Sequence, residues 1–341
     1  MLRLSTICLL LAGTCLVSTK LPAQAFCALR DPTSKIYDSY PQATSYRSLV
    51  RTIDENIRQR VARELPFTIH FNELGRHTLY LPVKEGQPLG LIHARSEAGA
   101  WGLTEIVWSL TPNLTIEDFS FQRCRSRKRS EVETAEFKRQ LQGKNFRELK
   151  QMLNDNGTAL VDGKLEIAST SRELAVMVLR SALKTILVSK LAWADDLAVI
   201  QPLYFAQQAF ESVAIVEKVE SPYSETVQQE FTRHFNTGSN KTVSNINRNE
   251  VLLLLLSDAN NKPLGHVVRT PWKSMNTELL LWWTVRNDNV VTDVVATNGW
   301  PDEKTREAFE QVVGLASSKI PNCTSAAEIA GAEVLLLCKQ N

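Results

Sequence analysis

The chain has 341 residues, 43% of them hydrophobic and 22% charged, with 14 Gly and 13 Pro, which excludes collagen-like, coiled-coil and wholly disordered architectures. Lys and Arg number 39 against 37 Asp and Glu, and Arg3 and Lys20 fall in an acid-free start, so the remainder is neutral. A neutral chain is a poor match for the broad cationic faces that bind nucleic acid or acidic lipid.

Met1-Leu2-Arg3 gives a positive start, and residues 7–17 form an apolar stretch shorter than the roughly 20 residues a bilayer span needs. Ala23-Gln24-Ala25 is a small-x-small cleavage pattern. The reading is a signal peptide over 1–25 and a periplasmic or secreted protein with no transmembrane segment after cleavage. Export leaves Cys27, Cys124, Cys323 and Cys338 in an oxidising compartment, which favours disulfides. Cys323 with Cys338 and Cys27 with Cys124 are the expected pairs; buried thiols are the alternative. No Cys-x-x-Cys or His-Glu-x-x-His spacing exists, so a structural zinc is not expected. Sequons at Asn113, Asn156, Asn240 and Asn322 add the reading of an exported glycoprotein.

Next, Tyr46, Leu49, Val50, Ile53, Ile57 and Val61 recur at intervals of three and four and predict one amphipathic helix, ended by Pro66. Strands are expected over 67–71, 77–83, 89–95, 103–110 and 115–122, separated by turn-prone Asn72-Glu73-Leu74-Gly75, Glu85-Gly86 and Thr111-Pro112-Asn113. A helix over 172–188, continuing to about 199, precedes a domain boundary at Gln201-Pro202. In the second half Tyr223, Val227, Phe231 and Phe235 mark a helix. Strands read over 251–257, 264–269, 278–286 and 290–297, with Asn287-Asp288-Asn289 as a hairpin turn. Pro301-Asp302 opens a helix to about 318.

The halves echo each other. Gln87-Pro88-Leu89-Gly90 answers Lys262-Pro263-Leu264-Gly265, Thr104-Glu105 answers Thr277-Glu278, and Gly143 answers Gly314, each pair in the same order. The fold class is therefore α+β: two related domains, 26–200 and 201–341, each an antiparallel sheet meander flanked by helices.

Three clusters could carry chemistry. Around Trp101, Gly99 and Gly102 allow close backbone approach to a flat ligand beside an indole face; a tight turn with one core aromatic is the plainer account. Arg123, Arg125, Arg127, Lys128 and Arg129 put five cations in seven residues, suited to phosphate or an acidic partner, or else a solvated loop. Ser169, Thr170 and Ser171 head the central helix, as caps or as an anion site. No nucleophile elbow or phosphate-binding glycine loop is present, and the sequence leaves enzymatic activity undecided.

These residues together resemble the exported FMN-binding domain family, found in flavoprotein subunits of the Rnf and sodium-translocating NADH:quinone reductase complexes and in NosR-type regulators. The resemblance runs over roughly residues 36–188. Ile36-Tyr37-Asp38-Ser39-Tyr40-Pro41-Gln42-Ala43 is similar to the family's entry motif, Gly86-Gln87-Pro88-Leu89-Gly90-Leu91-Ile92 to its hairpin, and Gly102-Leu103-Thr104-Glu105-Ile106-Val107-Trp108-Ser109-Leu110 to the following strand. It implies FMN in the first domain, electron transfer at its ring, and a redox or membrane-complex protein partner. Thr170, with Ser169 and Ser171, would hold the phosphate. Trp101, Gly102 and Thr104 would border the ring, and Arg125 and Arg127 would supply positive charge. Covalent members esterify the phosphate through a Thr in Ser-Gly-Ala-Thr. Alignment on Thr170 keeps that acceptor, whereas alignment on Thr170-Ser171-Arg172 puts Ala168 there. The family's His-x-Glu-Thr-Pro-Gly loop is replaced by residues 124–129, and the second domain shows no Ser/Thr cluster. The competing expectation is a non-enzymatic binding or assembly module that kept the fold and lost the flavin.

Overall fold

The computed structural model describes residues 32–210, 212–235, 246–274, 277–297, 299–323 and 325–340. The expected signal peptide, Cys27 and the Asn240 sequon lie outside the described residues. Among those described, no helix is long and apolar enough to cross a membrane.

The first unit opens with α1 (Thr33–Ser39), β1 (Ser45–Ile53) and α2 (Glu55–Glu64). Then come β2 (Gly75–Lys84), β3 (Gln87–Pro88), β4 (Leu91–Gly99), β5 (Gly102–Leu110) and β6 (Ile116–Arg123). Short helices α3 (Arg129–Val132), α4 (Ala135–Leu141) and α5 (Phe146–Lys150) lead to α6 (Arg172–Ala192) and α7 (Ala194–Ala209). The second unit contains β7 (Ile215–Val219), α8 (Glu225–Phe235), β8 (Leu252–Ser257), β9 (Pro263–Ser274), β10 (Thr277–Arg286), β11 (Val290–Ala296), α9 (Glu303–Glu310) and α10 (Ala326–Gln340).

One sheet runs β1-β2-β4-β5-β6 with β3 on β2, the other β7 to β11 in sequence, and all pairings are antiparallel. The α+β layout of two flanked meanders is what the sequence predicts. In the first unit α6 lies on the sheet face that carries Leu79, Leu91, Trp108 and Phe119; in the second, α10 packs with Leu253, Val268 and Trp283.

The units share register as well as order. His93 opposes Trp108 in the first and Val268 opposes Trp283 in the second, both displaced by 175 positions (93 to 268, 108 to 283). A bulge falls between Ser109 and Leu110 and again between Thr284 and Val285, at that same displacement. Gly143 N–H donates to the Ile116 carbonyl at 2.7 Å, as Gly314 N–H does to the Val291 carbonyl at 2.8 Å. Both glycines have positive φ, 76° and 88°, where a side chain would be strained. The Thr104–Thr277 match is two residues out of register, because Thr104 corresponds to Leu279.

Several elements differ from expectation. The single helix of residues 46–61 is a strand, β1, followed by α2. Its β-branched and aromatic residues pair with β2, and Asp54 ends the strand by accepting from Ile57 N–H at 2.9 Å as the cap of α2. Residues 67–71 form no strand. A turn of 3-10 helix at Phe71–Glu73, closed by reciprocal bonds between His70 and Glu73, occupies the end of that stretch. β7 and α10 have no counterpart in the sequence reading, and α9 is shorter than expected.

Pro202 sits inside α7. What changes there is the packing partner: Leu197 and Ile200 join the first core, whereas Phe205, Ala206 and Phe210 join Leu254, Leu256 and Trp282 of the second sheet. Cys323 and Cys338 are free thiols, not a disulfide. Cys338 lies twelve residues into α10, roughly 18 Å along its axis, and disulfide Cα atoms must come within about 7 Å. Cys124 is also free. Asn113 is only 8% exposed, which makes its sequon a poor acceptor.

Candidate functional site

α6 begins after a 3-10 turn formed by Ser169–Ser171. Ser169 and Thr170 are exposed. Ser171 is buried, and its hydroxyl donates to the Glu131 carboxylate of α3. Glu131 also accepts from Lys128 Nζ at 2.7 Å. These bonds, Lys128's foremost, hold the Glu131 carboxyl below its usual range. A negative group of the chain itself therefore stands at the amino end of α6, where free amides and the helix dipole favour an anion.

The β4–β5 hairpin reaches the same end of α6. Its tip carries Trp101, 41% exposed, and Gly102 at φ 90°. A Cβ on Gly99 would come within 2.2 Å of the terminal methyl of Met177, in the second turn of α6. Thr104 does not line the outer surface. It is buried opposite Glu97 on the strand face turned to α6. Of the five cations in 123–129, Arg123 faces Glu105 at 4.0 Å, Lys128 pairs with Glu131 and Arg129 with Glu133 at 2.8 Å. Arg125 and Arg127 are exposed and leave their charge to solvent. The structure thus gathers the Ser/Thr turn and the hairpin near one helix end, and commits most of the basic run to local ion pairs.

The more unusual chemistry lies deeper, and the sequence reading missed it. Between the first sheet and α6, Arg95 of β4 pairs with Glu73, and Lys184 of α6 lies 2.5 Å from Glu97 and 3.5 Å from Glu73. All four side chains are less than 10% exposed. Burial pushes the Glu73 carboxyl up, but Arg95, Lys184 and the His70 amide outweigh it and hold the acid below its usual range. His77 donates through Nε2 to the Glu73 carbonyl at 2.6 Å, and His93 Nδ1 shares a hydrogen bond with Ser189 at 2.8 Å. Burial, then the Arg95 charge, pushes His77 down to about 4 and His93 well down. Both rings are neutral at pH 7. Two acids and two bases balance, so the cluster is a neutral buried network. The available signal was alternation: His93, Arg95 and Glu97 occupy every second position of one strand, the face that its apolar neighbour Leu91 turns inward.

A flavin phosphate at the α6 head would meet the Glu131 carboxylate, and two anions cannot share that position without one becoming protonated or leaving. As arranged, these residues do not complement the phosphate. Cavities of about 410 to 550 Å³ open around α2, α7 and the seam between the units, and none of these four takes a residue from 95–105, 123–131 or 166–172. Among the described residues no group of three or more His, Cys, Asp or Glu is placed to hold a metal ion. Comparison with known proteins finds no matching family model, no similar curated protein and no similar solved structure.

Proposed function

We propose that this protein is a non-enzymatic binding module, exported to the periplasm or beyond, on a duplicated scaffold that resembles FMN-binding domains. The observation that carries this reading is the Ser171–Glu131 hydrogen bond: the place a flavin phosphate would take is filled by the chain's own carboxylate. The neutral network around Glu73, Arg95, Glu97 and Lys184 also supports it, because all four side chains are less than 10% exposed. Arg125 and Arg127, exposed on the loop before α3, would face an acidic surface of a protein partner.

An absorbance scan of the purified mature protein tests the reading, together with FMN titration followed by flavin fluorescence. The expected result is a colourless protein that leaves flavin fluorescence unchanged. A yellow preparation, or a flavin-phosphate adduct on residues 166–172 by mass spectrometry, would overturn it in favour of electron transfer by a flavin in the first unit.

A further inference from the structure

At the other end of α6, roughly 28 Å from Ser171 to Lys190 along the axis, the two units enclose a cleft of about 550 Å³. Three helices end there. α2 contributes Arg60 and Arg63, α5 contributes Arg147 and Lys150, and α6 contributes Lys190. None of the five takes part in an ion pair of the described residues; Lys150 donates to the Glu64 carbonyl at 2.6 Å and Arg147 reaches the Gly299 carbonyl at 3.5 Å. The carboxylates on the wall are Glu64 and Glu278, and Glu278 is drawn to Lys273 at 3.9 Å.

Basic residues at helix carboxyl ends are ordinary, since each end carries roughly half a negative charge. That accounts for part of the cluster. Five cations against two carboxylates and three such half-charges still leave a surplus of roughly one to two positive charges, which one anionic headgroup would match. The floor is apolar: Ile186 and Leu187 of α6, Leu279 of β10, with Phe146 and Leu191. An adjoining cavity of about 410 Å³ shares Lys190, Glu278, Leu279 and Thr297 and extends the cleft to Arg269 and Glu250, whose charges offset each other. Arg269 Nε is shielded from solvent and has no acceptor among the described residues. At the rim the units touch closely, since a Cβ on Gly299 would fall 2.2 Å from the Asn145 amide.

We propose that this inter-unit cleft binds an organic anion, with a phosphate or carboxylate head on the cations of α2, α5 and α6 and an apolar body against Ile186, Leu187 and Leu279. The proposal rests on the binding-module reading only in assigning no reaction to the cleft. The volume is that of a small-molecule site, and the lining sets five cations and two carboxylates over the apolar floor.

Calorimetric titration of the full mature chain with octyl phosphate tests it, beside inorganic phosphate and octyl glucoside. Octyl phosphate binds, inorganic phosphate binds more weakly, and the neutral glucoside does not. The double variant Arg63→Ala/Lys190→Ala lowers octyl phosphate affinity at least about tenfold, whereas Lys262→Ala, on an exposed hairpin, changes nothing. Because the replaced side chains are at the surface, circular dichroism should show the double variant folded. Failure of octyl phosphate to bind, or equal binding by the double variant, overturns the proposal. Co-sedimentation with phosphatidylglycerol vesicles as well would assign the headgroup to a lipid; vesicle capture without octyl phosphate binding overturns it. The two readings fail separately. Flavin bound by the parent and by the double variant alike overturns the flavin-free reading without touching the cleft, and octyl phosphate lost from the double variant supports the cleft whatever the flavin result.

Discussion

Where the first sheet presents His93, Arg95, Glu97 and Thr104 to α6, the second presents Val268, Thr270, Trp272 and Leu279 at the same register positions beneath α10. The helices answer in kind. α6 turns Ser181, Lys184, Thr185 and Ser189 into its interface, each of them buried; α10 brings Ala330, Gly331, Val334 and Leu337. α10 does carry one fully buried charge, Glu333, but it bonds to Arg248 at 2.8 Å and Tyr223 at 3.0 Å, on α8's side of the unit. Strand order, bulge and the Gly143/Gly314 turn are common to both units, so none of these features depends on the charged network. Trp indole N–H groups show the same adjustment: Trp108 donates to Ser181 of the helix at 3.1 Å, while Trp283 donates to Thr270 of its own sheet at 2.7 Å. One architecture accepts a hydrophobic or an ionic interior, and the ionic one bears a desolvation cost that the fold does not require.

Breaking the network one side at a time gives the largest effect. Arg95→Met leaves Glu73 buried beside only Lys184, and the expected loss is about 3–5 kcal/mol, read from urea unfolding. Replacing the whole set, with Glu73→Gln, Arg95→Met, Glu97→Met and Lys184→Met, makes the first interior resemble the second. That variant should recover most of the loss and match or exceed the parent by up to about 4 kcal/mol. A quadruple variant as unstable as the single one would show that the charges, unlike their counterparts in the second unit, hold the sheet and helix in place.

The comparison also has a pH signature. His77 has a folded pKa of about 4, below its unfolded value of 6.5, so the native state refuses a proton that the unfolded chain accepts. Nothing is lost above about pH 6.5, and stability then falls as pH drops towards 4, by about 2–3 kcal/mol at the lower end. His93, also pushed down, deepens the fall over the same window. Glu73 acts in the same direction: its folded value is also depressed, and its contribution is lost on further acidification. Val251 and Val268 occupy the second unit near the corresponding places and do not titrate. His77→Phe should flatten the slope of melting temperature between pH 6.5 and 4; an unchanged slope would place the acid sensitivity outside the first interior.

Much of the fold was legible because strand alternation, turn residues and a repeated Pro-Leu-Gly are local signals. The register shared by the units follows from the match of Gly90 with Gly265 alone. The helix read over 46–61 failed for an equally local reason: Tyr46, Leu49, Val50 and Ile53 mimic helical spacing, but among the described residues β1 pairs with β2 alone, so solvent access to its side chains blurs the two-residue period. Lys184 and Glu73 were illegible because charged residues are assigned to solvent by default, and their partners are 87 positions away for Lys184–Glu97 and 22 for Arg95–Glu73. The cleft was invisible for the same reason. Its cations are spread from Arg60 to Lys190 and converge only through the packing of three helix ends.

The smallest effect separates the helix heads. α10 is capped locally: Ser325 Oγ accepts from Glu328 N–H at 3.2 Å and Ser325 N–H donates to the Glu328 carboxylate at 2.9 Å. At α6 the seryl hydroxyl makes no bond to helix amides and turns instead to Glu131, forty positions earlier in the chain. Ser325→Ala should therefore cost about 1 kcal/mol, a fall of roughly 2–4 °C in melting temperature. Ser171→Ala loses a part-buried hydrogen bond instead of a cap, a small destabilisation of different origin, and the two can be told apart. Adding Glu131→Gln to Ser171→Ala should cost less than Glu131→Gln costs alone, because their shared bond is already gone and only the partly exposed Lys128 pair remains to be lost, whereas adding it to Ser325→Ala should leave the two effects independent. Simple additivity in the Ser171 pair, measured by the same melts, would mean that Glu131 does not hold the head of α6, and the site would then stand open to an external anion.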